Sequence, residues 1–353
     1  MSKRIIPNRV KSVIFKHLKL SLLIVLVSLN VSAQVGGEQV YTFLNFPTSA
    51  RQTALGGSVL TLTDDVNQPL WNPSAINEDL DSKMSVNYVN YLAEINFFSA
   101  SYAYNVDRHI GTIHTGLTYL NYGSFIAADE SGNETGTFNA FDMAFSVGYA
   151  YQIPRTSFYI GANAKIINSV IEKYSSFGLA ADVGIMYHNY DKPYRFSAVI
   201  RNAGAQITNY TDVQEPIPFQ ILVGGSFQPE HVPIRIYGTL DNLQRWNLAQ
   251  TNPSDSTSDF EGNVLENNPS FLNNLMRHVV VGAELFPDKG FSLRTGFNFQ
   301  RAQELSLKNI RTFAGLNFGF GLKMKRFKLN YAFSKYHPVA DTHSFSLEIY
   351  LNQ

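Results

Sequence analysis

The side chains that could carry chemistry are few in this sequence of 353 residues, and their spacing argues against metal binding. His109 and His114 are five residues apart, which on a strand puts them on opposite faces and about 16 Å apart, too far to share one ion. Asp129, Ser131 and Asn133 faintly resemble a calcium loop, but the acidic final ligand is missing at the required spacing. The pattern favours a solvated loop over a calcium site.

Two further motifs are better explained by strand structure than by catalysis. His343 and Ser344 are adjacent, so on a strand their side chains point to opposite faces and cannot pair as base and nucleophile. The glycines of GLNFGFG (315–321) lie within a strand pattern, where they relieve crowding and do not cradle a phosphate. The sequence therefore predicts a protein that is not an enzyme and that uses no cofactor and no metal.

The first residues have the pattern of an export signal. A basic leader from Lys3 to Lys19 precedes the apolar run LSLLIVLVSL, which is followed by the small-residue pattern Val31-Ser32-Ala33. The apolar run covers about ten residues, whereas a membrane-spanning helix needs about twenty. We therefore predict a cleaved signal peptide at residues 1–33 and a protein that works outside the cytoplasm.

The composition narrows the class of the mature chain. There are no cysteines, so an exported chain of this size needs a large sheet, bundle or barrel in place of disulfides. The formal charge is zero, which argues against a nucleic-acid partner. Tyrosine and phenylalanine are frequent, at 19 and 26 residues, while charged residues form only 16% of the chain. This balance favours strands.

Alternation of apolar and polar residues with a period of two runs through most of the chain after residue 82. In 291–300, for example, apolar residues from Phe291 to Phe299 alternate with polar or small ones. Such segments are about ten residues or longer, the length that a tilted strand needs to cross a bilayer. We count about fourteen, near 82–91, 96–105, 110–122, 138–152, 155–170, 175–188, 193–203, 217–228, 233–243, 276–286, 289–301, 309–323, 325–335 and 342–352.

The connections distinguish a membrane barrel from a soluble β-sandwich. Alternate gaps are short turns such as NVDR (105–108) and MKR (324–326), while others are long, the longest running from Gln244 to Met276. Outer-membrane barrels have short periplasmic turns, long external loops and both termini in the periplasm. The sequence thus predicts an antiparallel transmembrane β-barrel in residues 82–353, integral to the cell outer membrane. Its charged wall residues are expected to face the lumen: Asp142, Lys165, Asp182, Arg195, Arg201, Arg235, Glu284 and Arg294.

Residues 34–81 precede the first wall strand, and their motifs carry a family resemblance. FLNFPTSARQTALGG (43–57) and LTLTDDVNQPLWNPSAIN (60–77) resemble the start of the PorV/PorQ family of the type IX secretion system, within the wider FadL-like class of barrels. FPTSARQTALGG and the final strand HSFSLEIYL are more similar to PorQ than to PorV. The chain ends Leu351-Asn352-Gln353, not in the terminal aromatic residue frequent in outer-membrane barrels. The resemblance implies a fourteen-stranded FadL-like barrel whose N-terminal segment fills the lumen as a plug.

The resemblance also implies a role. In that family the barrel is a component of an attachment complex that anchors a PorZ-like surface protein, together with the PorU sortase and a PorV-like barrel. The complex processes secreted cargo and links it to lipopolysaccharide, so outer-membrane lipid or lipopolysaccharide is an implied partner. The alternative is a FadL-like channel for small hydrophobic molecules, and a lipid-modifying outer-membrane enzyme is the third class.

Some of the predicted plug residues are chosen for backbone conformation and charge, and Trp71, Asn72 and Pro73 also because they stand where the resemblance implies an Asn-Pro-Ala-like motif. Proline removes a backbone donor and glycine allows conformations barred to other residues, which suits an irregular segment packed in a lumen. Arg51 either pairs with Asp142, Asp182 or Glu284 of the wall or remains solvated. The set is Pro47, Arg51, Gly56, Gly57, Trp71, Asn72 and Pro73.

The longest loop, Gln244 to Met276, is the predicted partner site. Long loops in compact proteins are usually functional or disordered. PSFLNNLM, after Asn268, has helical spacing of its apolar residues and could present them on one face. The candidate residues either anchor a partner or cap the loop onto the barrel rim: Trp246, Phe260, Phe271, Leu272 and Leu275.

Overall fold

The computed structural model describes residues 39–92, 94–107, 110–248, 257–258, 264–265, 270–305, 313–336 and 341–351. The predicted signal peptide and Phe260 lie outside these ranges. The chain from Glu38 onward forms one compact unit. In the described part of the chain, no helix is both long enough and apolar enough to span a membrane.

Fourteen antiparallel strands close into a barrel, as the sequence predicted, with β1 paired to both β2 and β16. Strands β10 (Thr257–Ser258) and β11 (Val264–Leu265) form a separate pair outside the wall. The wall strands are β1 (Lys83–Asn90), β2 (Asn96–Asp107), β3 (Gly111–Ala128), β4 (Glu134–Gln152), β5 (Phe158–Ile171), β6 (Tyr174–His188), β7 (Tyr194–Thr208), β8 (Gln220–Phe227), β9 (Ile234–Leu240), β12 (Val279–Leu285), β13 (Phe291–Asn298), β14 (Leu316–Lys323), β15 (Phe327–Ser334) and β16 (Thr342–Tyr350).

The alternating sequence determines which face of each strand is inside. In β4, for example, Phe145, Val147 and Tyr149 are exposed on the outer face, while the alternating residues Ala144 and Ser146 are buried. Closure pairs the backbone groups that an open sheet edge would leave unsatisfied in hydrocarbon. An apolar outer face and a polar inner face are the arrangement of a membrane barrel.

Several predicted strands were wrong at an end: 276–286 begins only at Val279, the described part of 309–323 only at Leu316, and 289–301 stops early. The segment 289–301 was expected to continue as a strand through Phe299, but β13 ends at Asn298 and a short helix, α3 (Phe299–Glu304), follows. The Asn298 side chain accepts a hydrogen bond from the backbone N–H of Arg301, at 2.9 Å. Such an N-cap satisfies a helix donor that has no partner within the helix, so it favours helix over strand here.

The wall is much taller on one side than on the other. Strands β3 and β4 contain 18 and 19 residues, and β5 to β7 contain 14 or 15. Strands β8, β9 and β12 to β16 contain only 7 to 9 residues. Since about ten residues cross a bilayer, the hairpin of β3 and β4 extends well beyond the rest of the wall at the long-loop end.

The N-terminal segment, residues 39–82, lies inside the barrel. It contains one α-helix, α1 (Ala50–Ala54), and short 3₁₀ helices at Thr42–Asn45, Gln68–Leu70, Pro73–Ala75 and Glu78–Leu80. Most of its side chains are buried, including polar ones. Its residues contact strands on opposite sides of the wall, because Pro73 lies against β5 and Leu55 against β12 and β13.

Candidate functional site

Arg51 on helix α1 is the centre of a charged network between the segment and the wall. Its guanidinium donates two hydrogen bonds to Glu284 of β12, at 3.1 and 2.8 Å, and a third to Asp64 of the segment, at 2.9 Å. Glu284 also accepts from Arg294 at 2.7 Å and from Tyr237 at 2.9 Å. Of the three wall carboxylates that the sequence offered as partners for Arg51, the structure pairs it with Glu284.

The network differs in exposure from one end to the other. The side chains of Arg51 and Glu284 are fully buried, whereas the Asp64 side chain is 41% exposed. Although burial alone would raise the pKa of the Asp64 carboxyl, the charges of Arg51 and Lys328 hold that pKa well below its usual value. Asp64 was not among the residues singled out from the sequence, since nothing in TLTDDV separates it from Asp65.

Trp71, Asn72 and Pro73 form the second contact region. The Arg201 guanidinium of β7 lies over the Trp71 ring, 3.7 Å from its centroid, and both side chains are buried. The Asn72 amide nitrogen donates to the Leu60 carbonyl at 2.7 Å and to the Ser197 hydroxyl of β7 at 2.8 Å. The segment is therefore bound to the tall side of the wall by a cation–π contact and by side-chain hydrogen bonds.

Glycines of the wall allow the segment to approach the sheet backbone. A Cβ atom on Gly161 of β5 would lie 2.3 Å from the carbonyl oxygen of Pro73, and one on Gly296 of β13 would lie 2.2 Å from the carbonyl carbon of Leu55. Both distances are far shorter than van der Waals contact. In the segment itself, Gly56 and Gly57 have φ of +104° and +99°, which L side chains rarely adopt. A Cβ atom on Gly57 would lie 3.3 Å from the ring of Pro47.

The apolar residues at the start of the segment fill the lumen toward the long-loop end. Tyr41, Phe43 and Leu44 pack with buried wall residues such as Phe97 and Leu120 in one hydrophobic cluster. The cavity described beside this cluster has a volume of about 20 Å³ and is bordered by Phe43, Lys165 and Arg201 among others. That volume holds about one water molecule.

The wall charges predicted to face the lumen are there. Seven of them are buried: Asp142, Lys165, Asp182, Arg201, Arg235, Glu284 and Arg294. Lys165 pairs with Asp182 at 2.7 Å. Asp142 accepts hydrogen bonds from Tyr122, at 2.7 Å, and from Ser169. Asp142 and Asp182, the other two predicted partners of Arg51, thus bind other side chains. Arg195 is half-buried near the short-turn end, where it donates to His188.

The second candidate site is the apolar helix at the long-loop end. Helix α2 (Phe271–Arg277) begins after Ser270, whose hydroxyl accepts from the Asn273 N–H at 3.3 Å. Phe271 and Leu272 are 70% and 64% exposed. Leu275, in contrast, is half-buried, so it does not share their exposure. The helix therefore presents two apolar side chains to solvent at its first turn.

Trp246 connects this helix to the rim of the barrel. Its ring lies 5.2 Å from that of Phe271 and stacks on the imidazole of His278 at 5.3 Å. His278 is buried and bonds to the carbonyl oxygens of Asp241 and Trp246, at 2.6 and 3.1 Å. Sequence reasoning did not find this histidine, because its partners are backbone oxygens of the loop that follows β9. The contacts of Trp246 and His278 thus fix the apolar surface to the barrel rim. We call this surface the Trp246–Leu272 face (Trp246, Phe271 and Leu272).

No cluster that could bind a metal ion is found in the described ranges. His114 is buried with its Nε2 bonded to the Val66 carbonyl, at 2.9 Å, and His343 accepts or donates a bond with the Tyr331 hydroxyl at 2.8 Å. The Asp129 carboxylate is used by the backbone N–H groups of Ser131 and Asn133. These contacts stabilise lumen, wall and loop. His109 lies outside the described residues.

Comparison with known proteins gives a likeness of fold. No protein-family model and no curated protein matches the sequence. Among solved structures, the toluene transporter TbuX of Ralstonia pickettii superimposes with a TM-score of 0.50 at 11% identity, over 88% of this chain and 100% of the transporter. A FadL homologue of Pseudomonas aeruginosa has a TM-score of 0.46 at 10% identity, over 85% of this chain and 97% of its own. The chain therefore folds as a closed antiparallel barrel of fourteen strands whose architecture is like that of the toluene transporter TbuX.

Proposed function

We propose that this chain is an outer-membrane barrel of the type IX secretion attachment complex, and that it anchors a PorZ-like surface protein beside the PorU sortase and a PorV-like barrel. The observation that carries the proposal is the pairing of a filled lumen with the exposed Trp246–Leu272 face. The family resemblance of residues 43–77 adds to it. A filled lumen suits a scaffold, because the packed N-terminal segment makes the barrel that carries the partner-binding face more rigid.

The lumen supports this role through the contacts of its N-terminal segment. The segment is held on one side by the buried Arg51–Glu284 pair and on the other by the Trp71–Arg201 contact. Its apolar start occupies the lumen near the long loops. A lumen filled in this way favours a scaffold rather than an open pore.

The Trp246–Leu272 face supplies the surface for the partner. Aromatic and aliphatic side chains that are desolvated at the centre of an interface carry much of its binding energy. The face lies on the low side of the barrel, in the connection between β9 and β12. An apolar groove or a Trp-rich pocket on the partner fits this surface.

The test uses the exposed pair. We expect F271S/L272S to lose the surface partner on gentle detergent extraction, while the barrel keeps its heat-dependent shift in electrophoretic mobility. The matched control is V213S, which removes another apolar side chain, 67% exposed, from the loop between β7 and β8. Retention of the partner by F271S/L272S, or equal loss from V213S, would contradict the proposed face.

A channel for small hydrophobic molecules is the second candidate, and the fold likeness to a toluene transporter favours it. It requires a path through the apolar cluster around Phe43 and Leu44. Uptake of a labelled aromatic hydrocarbon into vesicles containing the purified barrel separates the two functions. Uptake above that of protein-free vesicles would support the channel, and its absence together with partner retention supports the scaffold.

A further inference from the structure

The outer surface of the barrel has a groove at the seam where the first and last strands meet. Its volume is about 560 Å³, and it is bordered by strands β1, β2 and β14 to β16. The walls and floor are formed by apolar side chains, among them Val86, Tyr88, Phe98, Leu329, Phe345 and Leu347. Lumen-facing residues such as Asn330 and Ser346 also border it, so the groove reaches down to the sheet backbone.

Aromatic rings make this groove a defined shape on the wall. Tyr88 and Phe98 pack against each other at 5.1 Å on one side. On the other side Tyr331 packs against Phe320 and Phe345, at 5.4 and 5.3 Å. Between them, the floor follows the paired residues Val86, Leu347 and Leu329. An apolar groove with this lining suits an acyl chain.

A basic turn lies at the short-turn end of the groove. Leu322 and Leu329 line the groove, and the turn that joins their strands contains Lys325 and Arg326, both exposed. Neither cation forms an ion pair with a described residue. By the arrangement of short turns and termini, this end belongs to the periplasmic leaflet.

We propose that the groove and the turn together bind one anionic phospholipid of the periplasmic leaflet, with an acyl chain in the groove and the phosphate at Lys325 and Arg326. The bilayer is as apolar as the groove, so the acyl chain gains little free energy when it moves from the bilayer into the groove. The charge of the headgroup therefore determines which lipid is bound. The inference depends on the membrane placement of the barrel and is independent of the attachment role.

Native mass spectrometry of the purified barrel tests this with phosphatidylglycerol and with phosphatidylethanolamine of the same chains. We expect phosphatidylglycerol to bind more tightly, and K325A and R326A each to weaken it about fivefold, as expected for the loss of one cation near an anionic headgroup. The matched control K192A removes an exposed cation from the turn between β6 and β7 and should leave binding unchanged.

The groove is tested separately by filling it. L329W should weaken phosphatidylglycerol binding, because a tryptophan in the groove keeps the acyl chain from lying where its headgroup reaches Lys325 and Arg326, whereas V147W, on the exposed outer face of β4, should leave binding unchanged. Equal affinity for the two lipids, equal weakening by K192A and K325A, or unchanged binding in L329W would overturn the proposal. Binding of lipopolysaccharide in their place, unaffected by R326A, would also overturn it, because the occupant would then come from the outer leaflet. The two turn variants keep the test decisive if L329W does not fold.

Discussion

Replacement of Gly296 by alanine tests whether the N-terminal segment is built into the barrel. The added Cβ would lie 2.2 Å from the carbonyl carbon of Leu55 and 2.3 Å from the N of Gly56. Ordinary carbon contact begins at about 3.5 Å, so the segment must retreat by more than about 1 Å. Overpacking of this kind costs about 1 to 3 kcal/mol, and the segment bears most of it because the paired wall cannot move.

That cost corresponds to a rise of about 5-fold to 150-fold in the equilibrium for local opening of the segment. Hydrogen exchange of the peptides that cover residues 43–77 measures it directly. The matched control is G238A, where an added Cβ meets no atom within 4 Å on the outer face of β9. Equal exchange in G296A and G238A would refute the reasoning, since both variants change strand propensity alike and only one contacts the segment.

Three further predictions concern charge and register. R51A should lower the free energy for opening of the segment by about 3 kcal/mol, measured by hydrogen exchange. This is the low end of the cost of a broken buried ion pair, because Arg294 still pairs with Glu284. D64N should have a much smaller effect, because the Asp64 side chain is 41% exposed. Because the pKa of Asp64 is lowered in the folded protein, its contribution to stability is complete above the unfolded pKa of about 3.9 and is lost as pH falls toward the folded pKa. Hydrogen exchange of the segment from pH 6 to pH 3 should therefore show a larger loss of protection in the parent than in D64N, where the Glu284 carboxylate still pairs with Arg51. Phe145 lies on the outer face midway along the pairing of β4 with β5, and F145R should destabilise the barrel by about 2 to 4 kcal/mol in urea unfolding from lipid vesicles. Y151R, near the short turn, should cost only about 0 to 1 kcal/mol. Equal costs at the two depths would contradict the placement of the wall in the membrane.

The wall was predictable from the sequence because strand alternation is a local signal. The apolar side chain of Phe145 predicts the outer face and the polar side chain of Ser146 predicts the inner face. Counting the segments that repeat this alternation gives about fourteen strands. The same rule failed at Phe299, which continues the alternation of Phe297 although Asn298 caps a helix. There, a hydrogen bond of one side chain outweighed the apolar period.

The interior was less predictable, because its contacts join residues far apart in the chain. The sequence left three wall carboxylates as possible partners for Arg51. Glu284 comes to lie beside helix α1 only when the wall closes around the segment. The roles of Gly161 and Gly296 are equally hidden, since a glycine that a backbone approaches looks like any other glycine in a strand. For the long loop, helical spacing predicted α2 but not that Leu275 turns inward while Leu272 turns out.

The position of the N-terminal segment constrains how the protein assembles. The segment precedes β1 in the chain, yet it lies within a wall that is completed only when β1 pairs with β16, the last strand to be made. The ring must therefore close around a segment already in place, or admit it afterwards through one mouth. The segment contacts both strands of that closing pair, because the Ala50 N–H donates to the Ser346 hydroxyl of β16 and the Asn87 amide of β1 donates to Asn67, so these bonds favour one register of the two ends of the sheet. The first residues of the folded barrel thus help to determine its final pairing step.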